Sequence, residues 1–152
     1  MKKIAVIDYG MSNLHSVMKA FNKVIDKNYK LSIANSINDV EKSSIIILPG
    51  QGAARSCMDK LNDKFPDLKD YILNRPFLGI CLGFQILFDS SSEDDGVRCL
   101  SIVDGKVEDF RKSINSSVKV PHMGWNKVKQ KNVNLLWDEI PDETFFYFVH
   151  SY

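Results

Sequence analysis

Three short runs of apolar residues, each followed at once by a polar or glycine-containing loop, constrain the fold of this chain more than any other feature. They are Lys3–Asp8, Ile45–Leu48 and Phe77–Ile80. Unbroken apolar runs of this length are typical of strands that are buried on both faces, as in parallel sheets. Segments with helical spacing separate them. This order predicts an α/β fold with an open, largely parallel sheet and helices on both faces.

The segments between these runs supply the helices. Apolar residues recur at helical spacing from Leu14 to Ile25, and Ser12 or Asn13 is available as the N-terminal cap. The remaining elements predicted in the first half are short helices over 38–42 and 68–73, the start of a helix over 84–88, and a weak strand over 30–34.

The second half of the sequence is more polar and then β-rich. Residues 90–96 form a loop of serines and acids, and short strands are expected around Gly105, Val118 and Phe145. No linker or internal repeat interrupts the chain. Residues 1–152 are therefore expected to form one domain with a flavodoxin-like sheet.

Composition excludes several classes of protein. The 152 residues carry 20 Lys+Arg and 19 Asp+Glu, so the formal charge of +1 indicates no nucleic-acid partner. Apolar runs such as Phe145–Val149 are far shorter than the ~20 residues that span a bilayer. The apolar stretch after Met1 ends at Asp8, too early for a signal peptide. A cytoplasmic protein without membrane contacts is expected.

The segment Gly79-Ile-Cys-Leu-Gly83 has the spacing of a nucleophile elbow, with cysteine where hydrolases place serine. It lies between a predicted strand and a predicted helix. A tight turn there strains the backbone of the nucleophile, the flanking glycines allow strand and helix to approach closely, and the helix N-terminus favours a thiolate. An isolated cysteine is more often a packing residue, but this context predicts that Cys81 is a nucleophile.

The other two cysteines, Cys57 and Cys99, lack such a context and are interpreted as packing residues. An odd number of cysteines, with no CxxC pair and no clustered histidine, indicates neither a disulfide framework nor a zinc site. No metal or cofactor is expected.

A second glycine-containing segment, Pro49-Gly-Gln-Gly-Ala53, directly follows a predicted strand. Its backbone N–H groups are expected at the carboxyl edge of the sheet. Taken alone, the segment is a common turn. Beside a nucleophile, such N–H groups and that of the residue after the nucleophile supply an oxyanion hole.

Four motifs follow one another along the chain: Leu48-Pro-Gly-Gln-Gly52, Gly79-Ile-Cys-Leu-Gly-Phe-Gln85, Pro121-His-Met-Gly-Trp-Asn126 and His150-Ser-Tyr152. Together they resemble the triad-type (class I) glutamine amidotransferases. The third motif and the opening Asp8-Tyr-Gly-Met-Ser-Asn-Leu14 are similar to one branch, the glutaminase subunit of imidazole glycerol phosphate synthase. The resemblance covers essentially the whole chain.

This resemblance implies roles for individual residues. Cys81 is implied as the nucleophile that attacks the side-chain amide of glutamine, forms a glutamyl thioester and releases ammonia. The backbone at Gly50, Gly52 and Leu82 is implied in the oxyanion hole, and the strand from Gly50 to Gly52 is expected to rearrange. Residues implied in substrate binding are Gln85, Glu93, Ser151 and Tyr152.

The resemblance also implies a partner. In that family ammonia passes inside the complex to a separate (βα)₈-barrel synthase subunit, which forms imidazole glycerol phosphate in histidine biosynthesis. A heterodimer is therefore implied, with Asn13, Trp125 and Asn126 facing the barrel. Simpler interpretations stay open: Glu93 as a solvated loop acid, Gln85 as a capping or packing residue, and Trp125 as a core aromatic.

One family motif has no match in this sequence. The family completes its site with His-Pro-Glu, in which histidine is the general base and glutamate orients it. The three histidines, His15, His122 and His150, do not match that position. A C-terminally truncated domain is therefore expected, and the 152-residue polypeptide is expected to have little or no glutaminase activity. Appreciable turnover of glutamine, lost in Cys81→Ala, contradicts this prediction.

Other functions remain open on the sequence alone. A related amidotransferase subunit for amidino-sugar pathways of surface polysaccharides would use the same glutaminase chemistry. A non-catalytic docking subunit would need no general base. A cysteine peptidase or chaperone on a similar sheet is less favoured, because those relatives often carry histidine directly after the elbow cysteine, where this chain has Leu82.

Overall fold

The computed structural model describes residues 1–113 and 119–152 of the chain. They form two compact units, residues 1–107 and residues 108–152. Among the described residues, no helix is long and apolar enough to cross a membrane.

A four-stranded parallel sheet forms the centre of the first unit, with the strand order β2-β1-β3-β4. Its strands are β1 (Lys2–Ile7), β2 (Tyr29–Ala34), β3 (Ile45–Gly50) and β4 (Phe77–Cys81). The three apolar runs of the sequence are β1, β3 and β4, and the weak alternation over 30–34 is β2. The predicted parallel sheet is therefore confirmed.

Helices cover both faces of this sheet, as predicted. They are α1 (Leu14–Val24), α2 (Ile37–Glu41), α3 (Ala54–Lys64), α4 (Leu68–Leu73) and α5 (Leu82–Gln85). Alternate residues of a strand point to opposite faces. Thus Ile46 and Leu48 pack into a core with residues of α3, α4 and α5, whereas Ile47 packs into a second core with α1.

Two helices differ from the expectation. The helix α3 was missed, although Ala54, Cys57, Met58 and Leu61 are its buried residues and follow the i, i+3, i+4, i+7 pattern. The helix expected at the start of 84–88 begins earlier, at Leu82, and ends at Gln85. The reason is that α5 starts directly at the elbow, with Cys81 as its N-terminal cap residue.

The polar loop after Asp89 carries more structure than expected. It includes β5 (Ser90–Ser91), a 3₁₀ turn (Glu93–Asp95) and β6 (Val97–Arg98), and the following β7 is Lys106–Val107. These strands form a three-stranded sheet in the order β6-β5-β7. The strand expected around Gly105 is β7.

The second unit contains α6 (Phe110–Ser113), an antiparallel pair of strands, β8 (His122–Lys127) and β9 (Phe145–His150), and a 3₁₀ turn (Leu135–Trp137). The strand expected around Phe145 is β9. The strand expected around Val118 falls outside the described residues. The predicted β-rich character of the second half agrees with these elements.

Candidate active site

Cys81 and the Gly50 segment lie side by side at the carboxyl edge of the sheet. The strands β3 and β4 are hydrogen-bonded neighbours, and their register places Gly50 opposite Cys81, the last residue of each strand. Parallel α/β sheets bind ligands at this edge. The fold therefore brings the predicted nucleophile and the predicted oxyanion segment together.

The backbone of Cys81 has the strained conformation that the elbow predicts. Its φ of 54° and ψ of −115° are rare for a residue with a side chain. The thiol is exposed. Since a packing cysteine would be buried, this geometry favours the functional interpretation of Cys81.

The two glycines that flank Cys81, Gly79 and Gly83, are required because no side chain fits at either position. A Cβ on Gly83 would lie 1.9 Å from the carbonyl oxygen of Leu48, and a Cβ on Gly79 would lie 2.5 Å from that of Gly83. The helix α5 consequently approaches the strand β3 with no room for a methyl group. This contact fixes the position of the turn that carries Cys81.

Cys57 and Cys99 are both buried, in agreement with their interpretation as packing residues. Burial raises the pKa of the Cys57 thiol to about 11. Burial also raises the pKa of Cys99 above its ordinary value. At neutral pH both thiols are therefore protonated, which leaves Cys81 as the exposed thiol among the described residues.

The oxyanion segment follows β3 without interruption. Gly50 is buried, whereas Gln51 and Gly52 are exposed, and Gly52 has a φ of 89°. A Cβ on Gly50 would lie 3.0 Å from the backbone nitrogen of Gly83 and 3.0 Å from the Cβ of Leu82. The first turn of α5 thus packs against this segment. N–H groups in a first turn have no partner inside their own helix.

Tyr9 is a neighbour of this segment that sequence reasoning missed. It follows β1, is fully buried, and places its hydroxyl oxygen 2.6 Å from where a Cβ on Gly50 would stand. Its position in the loop after an apolar run, at the same sheet edge as Cys81, was the available signal.

The Glu93 carboxylate accepts a hydrogen bond of 2.7 Å from the backbone N–H of Ala54, the first residue of α3. The neighbouring Arg55 donates to the carbonyl oxygens of Asp94, at 2.7 Å, and Gly96, at 3.1 Å. A carboxylate at a helix N-terminus is stabilising. Glu93 is therefore not simply solvated, and it lies beside the end of the oxyanion segment.

We expect Glu93→Ala to lower the free energy of unfolding by about 1 kcal/mol, because it removes this cap. Glu93→Gln keeps an accepting oxygen and should retain most of that stability. Urea denaturation followed by circular dichroism measures both variants. Equal losses in the two variants would contradict a capping role that depends on the accepting oxygen.

The other predicted substrate and partner residues divide between the units. Gln85 is partly buried at the end of α5, and the exposed Asn13 caps α1 by accepting a 3.3 Å hydrogen bond from the Ser16 N–H. In the second unit Ser151 and Tyr152 follow β9. The Ser151 carbonyl accepts a 3.0 Å hydrogen bond from the Phe110 N–H.

The strand pair of the second unit holds two of the three histidines against each other. His150 Nδ1 lies 2.9 Å from the Tyr152 backbone oxygen, and His150 Nε2 lies 3.0 Å from His122 Nδ1. A backbone oxygen only accepts, so Nδ1 of His150 carries the proton and, in the neutral ring, Nε2 accepts from His122. The third histidine, His15, is exposed on α1.

Within residues 1–113 and 119–152, no group of three or more His, Cys, Asp or Glu side chains is arranged to hold a metal ion. The arrangement at Cys81 instead suits covalent attack by a thiolate. An exposed thiol stands in a strained turn at the edge of a parallel sheet, and backbone amides of two segments lie beside it.

Comparisons with known proteins identify the family of the chain. The family model of glutamine amidotransferase class-I matches residues 5–152. The imidazole glycerol phosphate synthase subunit HisH of Hydrogenovibrio crunogenus is 44% identical over 153 residues, covering 99% of this chain and 72% of the relative. Those of Pseudomonas aeruginosa (HisH 1) and Methylococcus capsulatus are 43% and 40% identical, each covering 100% of this chain and 73% of the relative. The chain therefore belongs to the class-I glutamine amidotransferase family of enzymes and is similar over nearly all of its length to HisH subunits.

Proposed function

We propose that this chain is a glutaminase subunit that supplies ammonia to a synthase making imidazole glycerol phosphate. The Cys81 thiolate attacks the side-chain amide carbon of glutamine, the C–N bond breaks, and ammonia leaves after taking up a proton. Water then cleaves the γ-glutamyl thioester to give glutamate and the free thiol. The observation that carries this proposal is the exposed, strained Cys81 opposite Gly50 at the sheet edge.

The oxyanion that forms during the attack requires hydrogen-bond donors in fixed positions. The N–H of Leu82 opens α5 directly after the nucleophile, and the segment from Gly50 to Gly52 runs beside that turn. We assign the oxyanion hole to these backbone groups. The Leu82 N–H is fixed by the start of α5, whereas the strand from Gly50 to Gly52 is the part expected to rearrange.

Substrate binding is assigned to two residues of the first unit and two of the second, each considered within its own unit. The negative charge of Glu93 suits the ammonium group of glutamine, and Gln85 lies one turn beyond Cys81 on α5. The backbone of Ser151 and Tyr152 is assigned to the amino-acid end of the substrate by family resemblance. If Glu93 binds the ammonium group, Glu93→Gln should raise the KM for glutamine while preserving the cap on α3.

A covalent probe tests the glutaminase proposal without requiring turnover. A glutamine analogue with a chloroketone in place of the amide should alkylate Cys81 and leave Cys57 and Cys99 unmodified, since both are buried. Glutamine should slow the labelling by competition. Peptide mapping by mass spectrometry identifies the site. Labelling of Cys81 that glutamine does not slow would refute a glutamine site.

The partner surface is assigned to one face of the β8–β9 pair, here called the aromatic face. Its exposed apolar members are Met123, Trp125, Phe145, Tyr147 and Val149. The register pairs Trp125 with Tyr147, and their rings meet edge to face with centroids 5.5 Å apart. Exposed apolar patches of this kind mark interaction sites. We place the barrel subunit of the heterodimer against this face. Asn126, which alternation puts on the opposite face of β8, and Asn13 of the first unit are assigned to the partner surface by family resemblance alone.

Trp125→Ala should weaken binding of the synthase subunit by about tenfold or more, because Trp125 is 69% exposed and truncation of an interface tryptophan typically costs at least 1–2 kcal/mol. Leu135→Ala is the matched control, since Leu135 is 91% exposed in the same unit but outside the aromatic face. Isothermal titration calorimetry measures both. Equal affinities for the two variants would place the interface elsewhere.

A complementation experiment in cells tests which synthase uses the ammonia. A version of the gene that also encodes the His-Pro-Glu motif should restore growth without histidine to a strain that lacks its own histidine-pathway glutaminase subunit. Failure, with the protein present in soluble form, would favour another synthase, such as one acting on surface sugars. Ammonia released and glutamate formed in equal amounts would still support the glutaminase chemistry in that case.

A further inference from the structure

The loop that begins at Glu93 is joined to the start of α3 by hydrogen bonds in both directions. The Glu93 carboxylate accepts from the backbone N–H of Ala54, at 2.7 Å. In return, Nη2 of Arg55 donates to the carbonyl oxygens of Asp94, at 2.7 Å, and Gly96, at 3.1 Å. Two adjacent residues of α3 therefore hold both the side chain of Glu93 and the main chain that follows it.

The main chain of this 93–96 loop has a conformation that needs support from outside the loop. Asp94, Asp95 and Gly96 have φ values of 51°, 63° and 100°, so three successive residues have a positive φ. Residues with a side chain keep such a conformation only where their surroundings hold them in it. The Arg55 guanidinium binds the carbonyl groups on either side of Asp95 and thereby spans the strained stretch.

The helix itself does not explain an arginine at this position. Arg55 is the second residue of α3, where the helix dipole places partial positive charge and a cation is unfavourable. Its side chain is exposed, so it fills no core. The first turn of α3 contains no acidic residue, and Glu93 supplies that charge from the loop. The structure therefore relates Arg55 to the loop rather than to the helix.

Glu93 is fixed close to the proposed nucleophile along the chain. The sheet register places Gly50 opposite Cys81, and the four residues from Gly50 to Ala54 span at most about 14 Å when fully extended. The cap on α3 uses Oε2 of Glu93, which leaves Oε1 for a ligand. A carboxylate held at Ala54 thus suits the ammonium end of a glutamine whose amide lies at the thiol.

We propose that Arg55 is a positioning residue, which clamps the 93–96 loop to α3 and thereby holds the Glu93 carboxylate where it binds the ammonium group of glutamine. This inference rests on the proposed glutaminase function. Charge and position predict opposite effects for Arg55. Because Arg55 is itself a cation, charge alone would make its removal favour the binding of an ammonium group, whereas loss of the clamp weakens that binding.

Arg55→Ala should lower the second-order rate constant for labelling of Cys81 by the glutamine chloroketone by about tenfold, because a hydrogen bond from a charged donor shifts an equilibrium by at least that factor. The limiting rate at saturating reagent should change by less than about twofold, as expected when only binding is lost. Arg98→Ala is the matched control, since Arg98 is exposed on β6, directly after the same loop, and its removal causes the same change in charge.

The same chloroketone without its α-ammonium group isolates the contact with Glu93. Arg55→Ala should change the labelling rate of this reagent by less than about twofold, because the carboxylate has no cation to hold. With the full reagent Glu93→Gln should itself slow labelling. Adding Arg55→Ala to Glu93→Gln should then cause little further loss, since a residue that acts through Glu93 is not additive with it.

Each outcome has a defined meaning. An unchanged or faster rate in Arg55→Ala overturns the positioning role, and so does an additive loss in the double variant. Equal loss with both reagents also overturns it, since Arg55 then acts on the carboxylate end that the two reagents share or on the thiol. Circular dichroism checks that the variants are folded, and Arg55→Gln, which keeps a long polar side chain, replaces Arg55→Ala if alanine lowers the folded fraction.

The unmodified chain separates these failures from failure of the proposed function. If glutamine slows its labelling at Cys81, the glutaminase proposal stands whatever Arg55→Ala shows. If Glu93→Gln leaves that labelling unchanged, the ammonium group is held elsewhere and the role of Arg55 falls with it. If glutamine does not compete at all, the proposed function fails first.

Discussion

Gly83→Ala is expected to destabilise the first unit by about 3 kcal/mol or more, at the upper end of the cost of overpacking a core. The added methyl carbon would stand 1.9 Å from the carbonyl oxygen of Leu48 and 2.9 Å from its carbonyl carbon. Leu48 is fully buried in β3, between β1 and β4. Both contacts are with main chain, so no side-chain rotation relieves them.

Urea denaturation measures the loss, and Gly96→Ala provides the comparison. A Cβ on Gly96 meets nothing within 4 Å, but the residue has a φ of 100°, so its substitution carries only the cost of conformation. Gly83 does not have a positive φ, so its substitution carries only the cost of the steric clash. A smaller loss for Gly83→Ala than for Gly96→Ala would contradict the close approach of α5 to β3.

In a version of the protein that also carries the His-Pro-Glu motif, Cys81→Ala is expected to lower glutamine-dependent ammonia release by roughly a thousandfold or more in the presence of the synthase subunit, as removal of a covalent nucleophile does in other enzymes. Growth without histidine, wherever the unaltered gene restores it, should fail with the Cys81→Ala copy. Excess ammonium salt should restore growth, because the synthase then no longer depends on glutamine.

Cys57→Ala is the matched control, since it removes a buried thiol from the same unit and leaves the exposed one. It should lose some stability and retain activity. Growth restored by Cys81→Ala without added ammonium would refute catalysis. It would favour instead the docking subunit that needs no nucleophile.

Much of this fold follows from local sequence patterns. The apolar runs that became β1, β3 and β4 are too short for helices, and the segments between them have helical spacing. The elbow was predictable because its residue types follow directly from its local geometry. The glycines allow α5 to approach β3 closely, and the cysteine between them occupies the strained turn.

The features missed depend on contacts between distant parts of the chain. Local spacing does not show that the Glu93 carboxylate caps α3 across 39 positions of sequence. Nor does it show that Tyr9 lies against Gly50, since this contact requires β1 and β3 to be neighbours in the sheet. The helix α3 itself was within reach, because its apolar spacing is regular, but its many polar residues concealed it.

The register that places Gly50 opposite Cys81 also determines where the chain tolerates inserted residues and where it does not. The two residues end adjacent strands, and the connection between them runs through α3 and α4. Lengthening the loop between α4 and β4 costs little, because the entropy of loop closure grows only by about 0.6 kcal/mol for each doubling in length. A single residue added between Gly79 and Gly83 would instead move the thiol off the end of its strand. Insertions are therefore tolerable in the crossover, whereas the turn around Cys81 has one permitted length.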